Sequence, residues 1–159
     1  MLLTEFSGTA SQVIDATPDE VFAAITDLDR LPQWNAHVPK IVEPAGRPLA
    51  EGVEWVVRIN AMGSHWHSRS RVVVYDPEQG RFEHFTQSDD GNPSYANWRW
   101  QVTPTPEGKC RLDVSWDVHP KTFWRRALYA KIRRHQLADE VPTSLGRLAA
   151  EIRTKAAAR

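Results

Sequence analysis

Val13-Ile-Asp-Ala-Thr-Pro-Asp-Glu-Val-Phe-Ala-Ala-Ile-Thr-Asp-Leu-Asp-Arg-Leu-Pro-Gln-Trp-Asn35 is the stretch whose reading decides the fold. It joins the end of a strand to the start of a helix. Thr17 is suited to cap that helix, and Pro18 fits its first position, where a missing N–H costs nothing. Asp19 and Glu20 favour the positive helix end, and Glu20 stands three residues after Thr17, the spacing of a capping box. Val21, Phe22 and Ile25 form a short apolar stripe. Asp27-Leu-Asp-Arg-Leu-Pro stops the helix, and Leu31 to Trp34 reads as a second short helical turn.

Upstream, residues 3–14 alternate weakly and read as a first strand, with Phe6, Gly8, Ala10, Gln12 and Ile14 on one face. Downstream the period becomes that of strands. Runs are expected at 37–43, 53–59, 64–75, 81–87, 95–103 and 109–118, separated by turn chemistry such as Pro44-Ala-Gly-Arg-Pro48, Met62-Gly63, Asp76-Pro-Glu-Gln-Gly80 and Pro104–Gly108. Alternation puts Trp66, Ser68, Ser70, Val72 and Val74 on one face of the longest run, and His65, His67, Arg69 and Arg71 on the other. From Lys121 apolar residues recur every three or four positions: Phe123, Trp124, Ala127, Leu128, Ile132. Pro142 cannot donate an N–H within a helix, so a kink or break is expected around Ala138–Pro142 before the stripe resumes at Leu145.

These features predict an α+β fold built as one domain over residues 1–159. A seven-stranded curved antiparallel sheet grips a long C-terminal helix, and two short helices follow strand 1. The order resembles the START-like SRPBCC superfamily, the helix-grip fold. The resemblance is carried by Ile14-Asp-Ala-Thr-Pro-Asp-Glu-Val-Phe22, by Asp27-Leu-Asp-Arg-Leu-Pro-Gln-Trp34, and by Glu140-Val-Pro-Thr-Ser-Leu-Gly-Arg-Leu148. The last is similar to the closing helix of the polyketide cyclase/dehydrase-like branch. It implies an apolar cavity between sheet and helix. Relatives of this kind bind lipids, sterols, polyketides or hormones, and some catalyse cyclisation or dehydration.

Composition excludes several classes. Lys plus Arg and Asp plus Glu both number 20, so the net charge is zero and nothing in it favours a nucleic-acid partner. The single cysteine, Cys110, precludes an internal disulfide, in keeping with a cytoplasmic setting. No apolar run approaches the roughly 20 residues of a membrane span, and the N-terminus lacks the pattern of a signal peptide. The seven tryptophans are the unusual feature.

Taking the more apolar face of each strand as the concave one gathers Trp55, Trp66, Trp98, Trp100 and Trp116 around the cup. Such walls suit a planar or polycyclic apolar ligand. Ser68, Ser70 and Thr86 are the candidate polar contacts on that face, and His84 is the candidate acid/base because imidazole titrates near neutrality. In cyclase-like relatives a buried arginine can orient the substrate and stabilise an enolate. Alternation points Arg69, Arg71 and Arg99 outward, but one β-bulge would reverse part of a strand, and Arg99, between Trp98 and Trp100, is then the candidate. His65-x-His67 lacks a third ligand beside it, so no metal is expected, and no cofactor is implied. The basic and aromatic segment Phe123–His135 could lie on an anionic membrane, but the balanced total charge favours a solvated helix face. Three functions follow. The first is binding of a small apolar lipid, polyketide or aromatic molecule. The second is a cyclase/dehydratase-like enzyme using His84 or an inward arginine for enolisation. The third is a non-catalytic interaction protein whose cup is filled by its own tryptophans.

Overall fold

The capping box forms as its residues dictate. In the computed structural model, which describes residues 2–158, the Glu20 backbone N–H donates to Thr17 Oγ1 at 3.2 Å and the Thr17 N–H to Glu20 Oε2 at 3.1 Å. They start helix α1 (Pro18–Thr26), and a single 3₁₀ turn (Leu28–Arg30) leads to α2 (Leu31–Trp34). Val21, Phe22, Ile25, Leu28, Leu31 and Trp34 from this segment are all buried.

Around them runs one seven-stranded antiparallel sheet. Its strands are β1 (Phe6–Ile14), β2 (Lys40–Glu43), β3 (Glu54–Ala61), β4 (Ser64–Asp76), β5 (Arg81–Ser88), β6 (Tyr95–Pro104) and β7 (Cys110–His119), in spatial order β1-β7-β6-β5-β4-β3-β2. The meander from β2 to β7 pairs each strand with the next, and β1 returns to the far edge beside β7. At Gly8, β1 meets β7 without room for a side chain. Gly8 lies opposite Trp116, whose ring covers the Gly8 backbone so closely that an added Cβ would stand 2.3 Å from Cζ2.

Two expectations fail for identifiable reasons. Val72 and Val74 do not share a face, because a bulge inserts Val73 between them. Val72 pairs with His84 but Val74 with Glu83, and Tyr75 then turns inward against Phe22, with ring centroids 5.6 Å apart. Nor does Pro142 break the last helix. Helix α3 (Ala130–Ala157) runs through it. Pro142 and Ala138, whose carbonyl loses its helical partner, are both on the exposed side of the helix, where an unpaired carbonyl costs little. The irregular part lies earlier, at a π-helical turn (Arg125–Tyr129) that feeds α3.

Helix α3 buries Leu137, Val141, Leu145, Leu148 and Ile152 in the same core as the sheet and the short helices. Polar clamps fix it to the α1–α2 segment. Arg30 pairs with Glu151, and Ser144 Oγ accepts the Ala36 N–H at 3.0 Å. Among the described residues no helix is long and apolar enough to cross a membrane.

Candidate functional site

Between the concave face and α3 lies a cavity of about 190 Å³. Five tryptophans wall it without filling it: Trp34 from α2, Trp55 from β3, Trp66 from β4, and Trp98 and Trp100 from β6. Ile25, Leu28 and Leu31 close the floor, so the short helices plug one end. At roughly 30 Å³ per water the space equals about six waters, and it lies below the ~300 Å³ at which ligand pockets usually begin. The cup in this shape has room for no more than a small molecule. A polycyclic one, the ligand expected above, requires its walls to move.

Strand alternation delivers the candidate contacts Trp55, Trp66, Ser68, Ser70, His84, Thr86, Trp98 and Trp100 to this cavity. Two candidates fall elsewhere. Trp116 points to the concave side but is 3% exposed and lies behind the wall, stacked on Trp98 at 5.5 Å. Arg99 projects from the convex face, where its Nη1 donates to Asp117 Oδ1 at 2.7 Å and its Nε to Ser115 Oγ at 3.2 Å. No bulge interrupts the pairing of β6 with its neighbours, so nothing turns Arg99 inward. Arg69 is likewise outside, held by Glu43 and Asp89, and Arg71 lies over the Phe85 ring. His65 and His67 are exposed, and among the described residues no three His, Cys, Asp or Glu side chains converge as a metal site would require.

His84 sits in an aromatic cage of Trp55, Phe82 and Trp98, and the little exposure it keeps is toward the cavity. Burial with no charge beside it pushes its pKa down to about 3, so the ring is neutral. The Trp100 indole N–H, which can only donate, reaches His84 Nε2 at 3.1 Å. That bond occupies the basic nitrogen and places the ring proton on Nδ1, 3.3 Å from Thr86 Oγ1. Thr86 in turn shares a hydrogen bond with Ser70 Oγ at 2.9 Å. A histidine so held fixes the Trp100 ring and relays polarity to two hydroxyls. It has no free lone pair with which to take a proton from a ligand.

The polar end of the cavity comes from residues that pattern reading did not select. Arg125, Tyr129, Arg133, Leu137, Val141 and Ser144 recur along one side of the last helix and its π turn, facing the sheet. Arg133 Nη1 donates to Glu140 Oε2 at 2.7 Å with both side chains about 90% buried (11% and 10% exposed), and His37 Nε2 lies 3.1 Å from the other Glu140 oxygen. The Arg133 guanidinium also lies over the Trp66 ring, 6.0 Å from its centroid. Burial raises the Tyr129 phenol above its ordinary range, so it stays a neutral donor. The four-residue spacing 125-129-133-137-141 was the available signal. It is visible only if the helix is continued in phase through Pro142. Trp34 adds one more feature: the residue lines the cavity, and its indole N–H is buried with no hydrogen-bond partner among the described residues.

Known structures share this architecture. The chain superposes on TTHA0849 from Thermus thermophilus with a TM-score of 0.75 at 20% identity, covering 94% of this chain and 99% of that one. It superposes on the Zhui aromatase/cyclase from Streptomyces sp. R1128 with a TM-score of 0.74 at 13% identity, covering 96% of each. Ara h 8.0201 gives 0.70 at 12% identity, covering 94% and 99%. At these identities the likeness is one of fold. No curated protein matches the chain in sequence. The family model described as polyketide cyclase / dehydrase and lipid transport matches residues 5–153, and the chain belongs to that family.

Proposed function

We propose that this protein binds a small, largely apolar molecule, aromatic or acyl, that presents at least one oxygen acceptor, and that it does so in the tryptophan-walled cavity. The observation that carries this reading is the cavity itself, walled by Trp34, Trp55, Trp66, Trp98 and Trp100 with the Ser68, Ser70 and Thr86 hydroxyls among them. Trp34 also carries a buried indole N–H with no hydrogen-bond partner among the described residues, at a cost of about 1–3 kcal/mol that a ligand oxygen reaching it would recover. Trp55, Trp66, Trp98 and Trp100 supply flat contact area, and Ser68, Ser70 and Thr86 supply orienting hydroxyls. A cytoplasmic setting belongs to the same proposal. The test is a titration with single-ring aromatic and short acyl carbonyl compounds, read by tryptophan fluorescence, beside native mass spectrometry of the purified protein. Five of the seven tryptophans wall the cavity, so occupancy is expected to shift the emission. No shift across the panel and no co-purifying mass would overturn the reading.

A cyclase- or dehydratase-like reaction is a second reading, favoured by the charged and phenolic groups that meet on the helix side of the cavity: Arg133, Glu140 and Tyr129. There a guanidinium and a neutral phenol could polarise a carbonyl and stabilise the enolate, a role for which His84 and Arg99 are badly placed. Turnover of a poly-carbonyl substrate lost in Arg133→Met while ligand binding persists would support it. No turnover in the native protein would remove it.

A further inference from the structure

The last helix carries two neighbouring rows of side chains, and only one of them serves the cavity. Arg125, Tyr129 and Arg133 face the cup. The residues immediately before them, Trp124, Leu128 and Ile132, face solvent with exposures of 76%, 62% and 43%. Phe123 at 61% joins them, its ring edge-on to Trp124 at 5.5 Å. Leu2, 44% exposed, is held nearby because the Leu3 N–H donates to the Arg126 carbonyl at 3.0 Å. Scattered exposed apolar residues are ordinary, but five large ones at one helix start form a patch that calls for a partner.

Charge identifies that partner. Residues 121–135 contain six of the 20 Lys and Arg and none of the 20 Asp and Glu. Outside the segment acids outnumber bases by 20 to 14, so the segment is a locally basic stretch in a chain of zero net charge. Arg133 is buried against Glu140 and Arg125 lies 3.9 Å from Asp90, but Lys121, Lys131 and Arg134 are exposed beside the apolar row. An apolar stripe with tryptophan and phenylalanine, bordered by cations, has the composition of a helix that lies in the interface of an anionic bilayer. A second copy of the chain is a poor occupant, since face-to-face pairing would set two such cationic borders against each other.

We propose that the Phe123–His135 segment docks on an anionic lipid surface, with Phe123, Trp124, Leu128 and Ile132 inserted among the headgroups and Lys121, Lys131 and Arg134 against the phosphates. The exposed cations beside the apolar row draw this face toward the surface as the molecule approaches. Because the docking row and the cavity row are adjacent, the docked protein would hold the Arg125–Tyr129 side of its cup next to the lipid. The proposal does not depend on which ligand the cup holds.

Co-sedimentation with vesicles tests it. Protein is mixed with vesicles of phosphatidylcholine alone, or of phosphatidylcholine doped with phosphatidylglycerol. Partition onto the doped vesicles is expected to be at least roughly tenfold greater and to fall with added salt, as attraction of cations to anionic lipid requires. Trp124→Ser with Leu128→Ser, and separately Lys131→Glu with Arg134→Glu, are each expected to abolish it. All four side chains are exposed, so thermal unfolding of both variants should match the parent. Equal partition onto both vesicle types, or serine variants that sediment like the parent, would overturn the proposal. So would a dimer, found by light scattering and dispersed by the serine pair, in a protein that ignores vesicles.

Discussion

At the scale of single residues, the site turns on two nitrogens. The Trp34 N–H is buried and unpartnered, so removing it should help the empty protein and harm the complex. Trp34→Phe is expected to leave the unfolding free energy unchanged or slightly raised. Ligand affinity should fall about fivefold to tenfold, the worth of one neutral hydrogen bond, as measured by denaturant unfolding and fluorescence titration. A parallel loss of both would mark Trp34 as packing alone. His84 makes a pH prediction. Its folded pKa is pushed down to about 3 from an ordinary 6.5, so the unfolded chain binds the extra proton between those values. Stability is therefore complete above pH 6.5 and falls as pH drops from 6.5 toward 3. Asp113 and Asp117 have their pKa values held below the usual carboxylate range, because hydrogen bonds to each carboxylate outweigh its partial burial, so their losses come at the acid end. The slope of stability between pH 6.5 and 4.5 should be reduced in His84→Gln, by urea unfolding at a series of pH values. An unchanged slope would show that the ring is not held neutral. The role of this histidine could not be read from spacing. Alternation brings it to the cavity, but the Trp100 N–H that occupies Nε2 comes from the neighbouring strand, and one chain position says nothing of that.

At the scale of elements, legibility follows the strength of local chemistry. The capping box is readable because all its partners lie within four residues. The strand faces are readable wherever polar and apolar residues alternate. They are not readable at Val72-Val-Val74, where three identical side chains carry no period and the bulge slips in unseen. The continuity of α3 is not readable either, because proline's cost depends on which side of the helix it occupies, and exposure of Pro142 and Ala138 is a tertiary fact. The β1–β7 pair offers a test of packing between elements. Gly8→Ala would put a methyl 2.3 Å from the Trp116 ring, which is 3% exposed and backed by Trp98. Overpacking of this kind costs about 1–3 kcal/mol, seen as a lower midpoint in thermal unfolding. Relief by tilting Trp116 pushes on Trp98, a cavity wall, so ligand affinity should fall with stability. A midpoint equal to the parent would mean that β1 shifts freely.

At the scale of the molecule, one core joins the sheet, the short helices and α3, and clamps such as Arg30–Glu151 tie the helices to each other. Folding should accordingly be cooperative. Urea transitions followed by tryptophan fluorescence and by far-ultraviolet circular dichroism are expected to coincide, and two separated transitions would show that α3 melts alone. The order of elements is legible in the chain because it is written in turn residues and periodicity. The polar end of the cup is not, because Arg133, Glu140 and His37 meet only when the helix closes over the sheet.

The short outer strand β2 has a further consequence. An open sheet has two edges that could accept a foreign strand and grow into a fibril. Here one edge strand, β2, is four residues long and bounded by Lys40 and Glu43, and its neighbour α2 packs against it. The other, β1, lies against α3. Strand addition is thus discouraged at the β2 border, whose four residues and terminal charges make a poor template for a foreign strand.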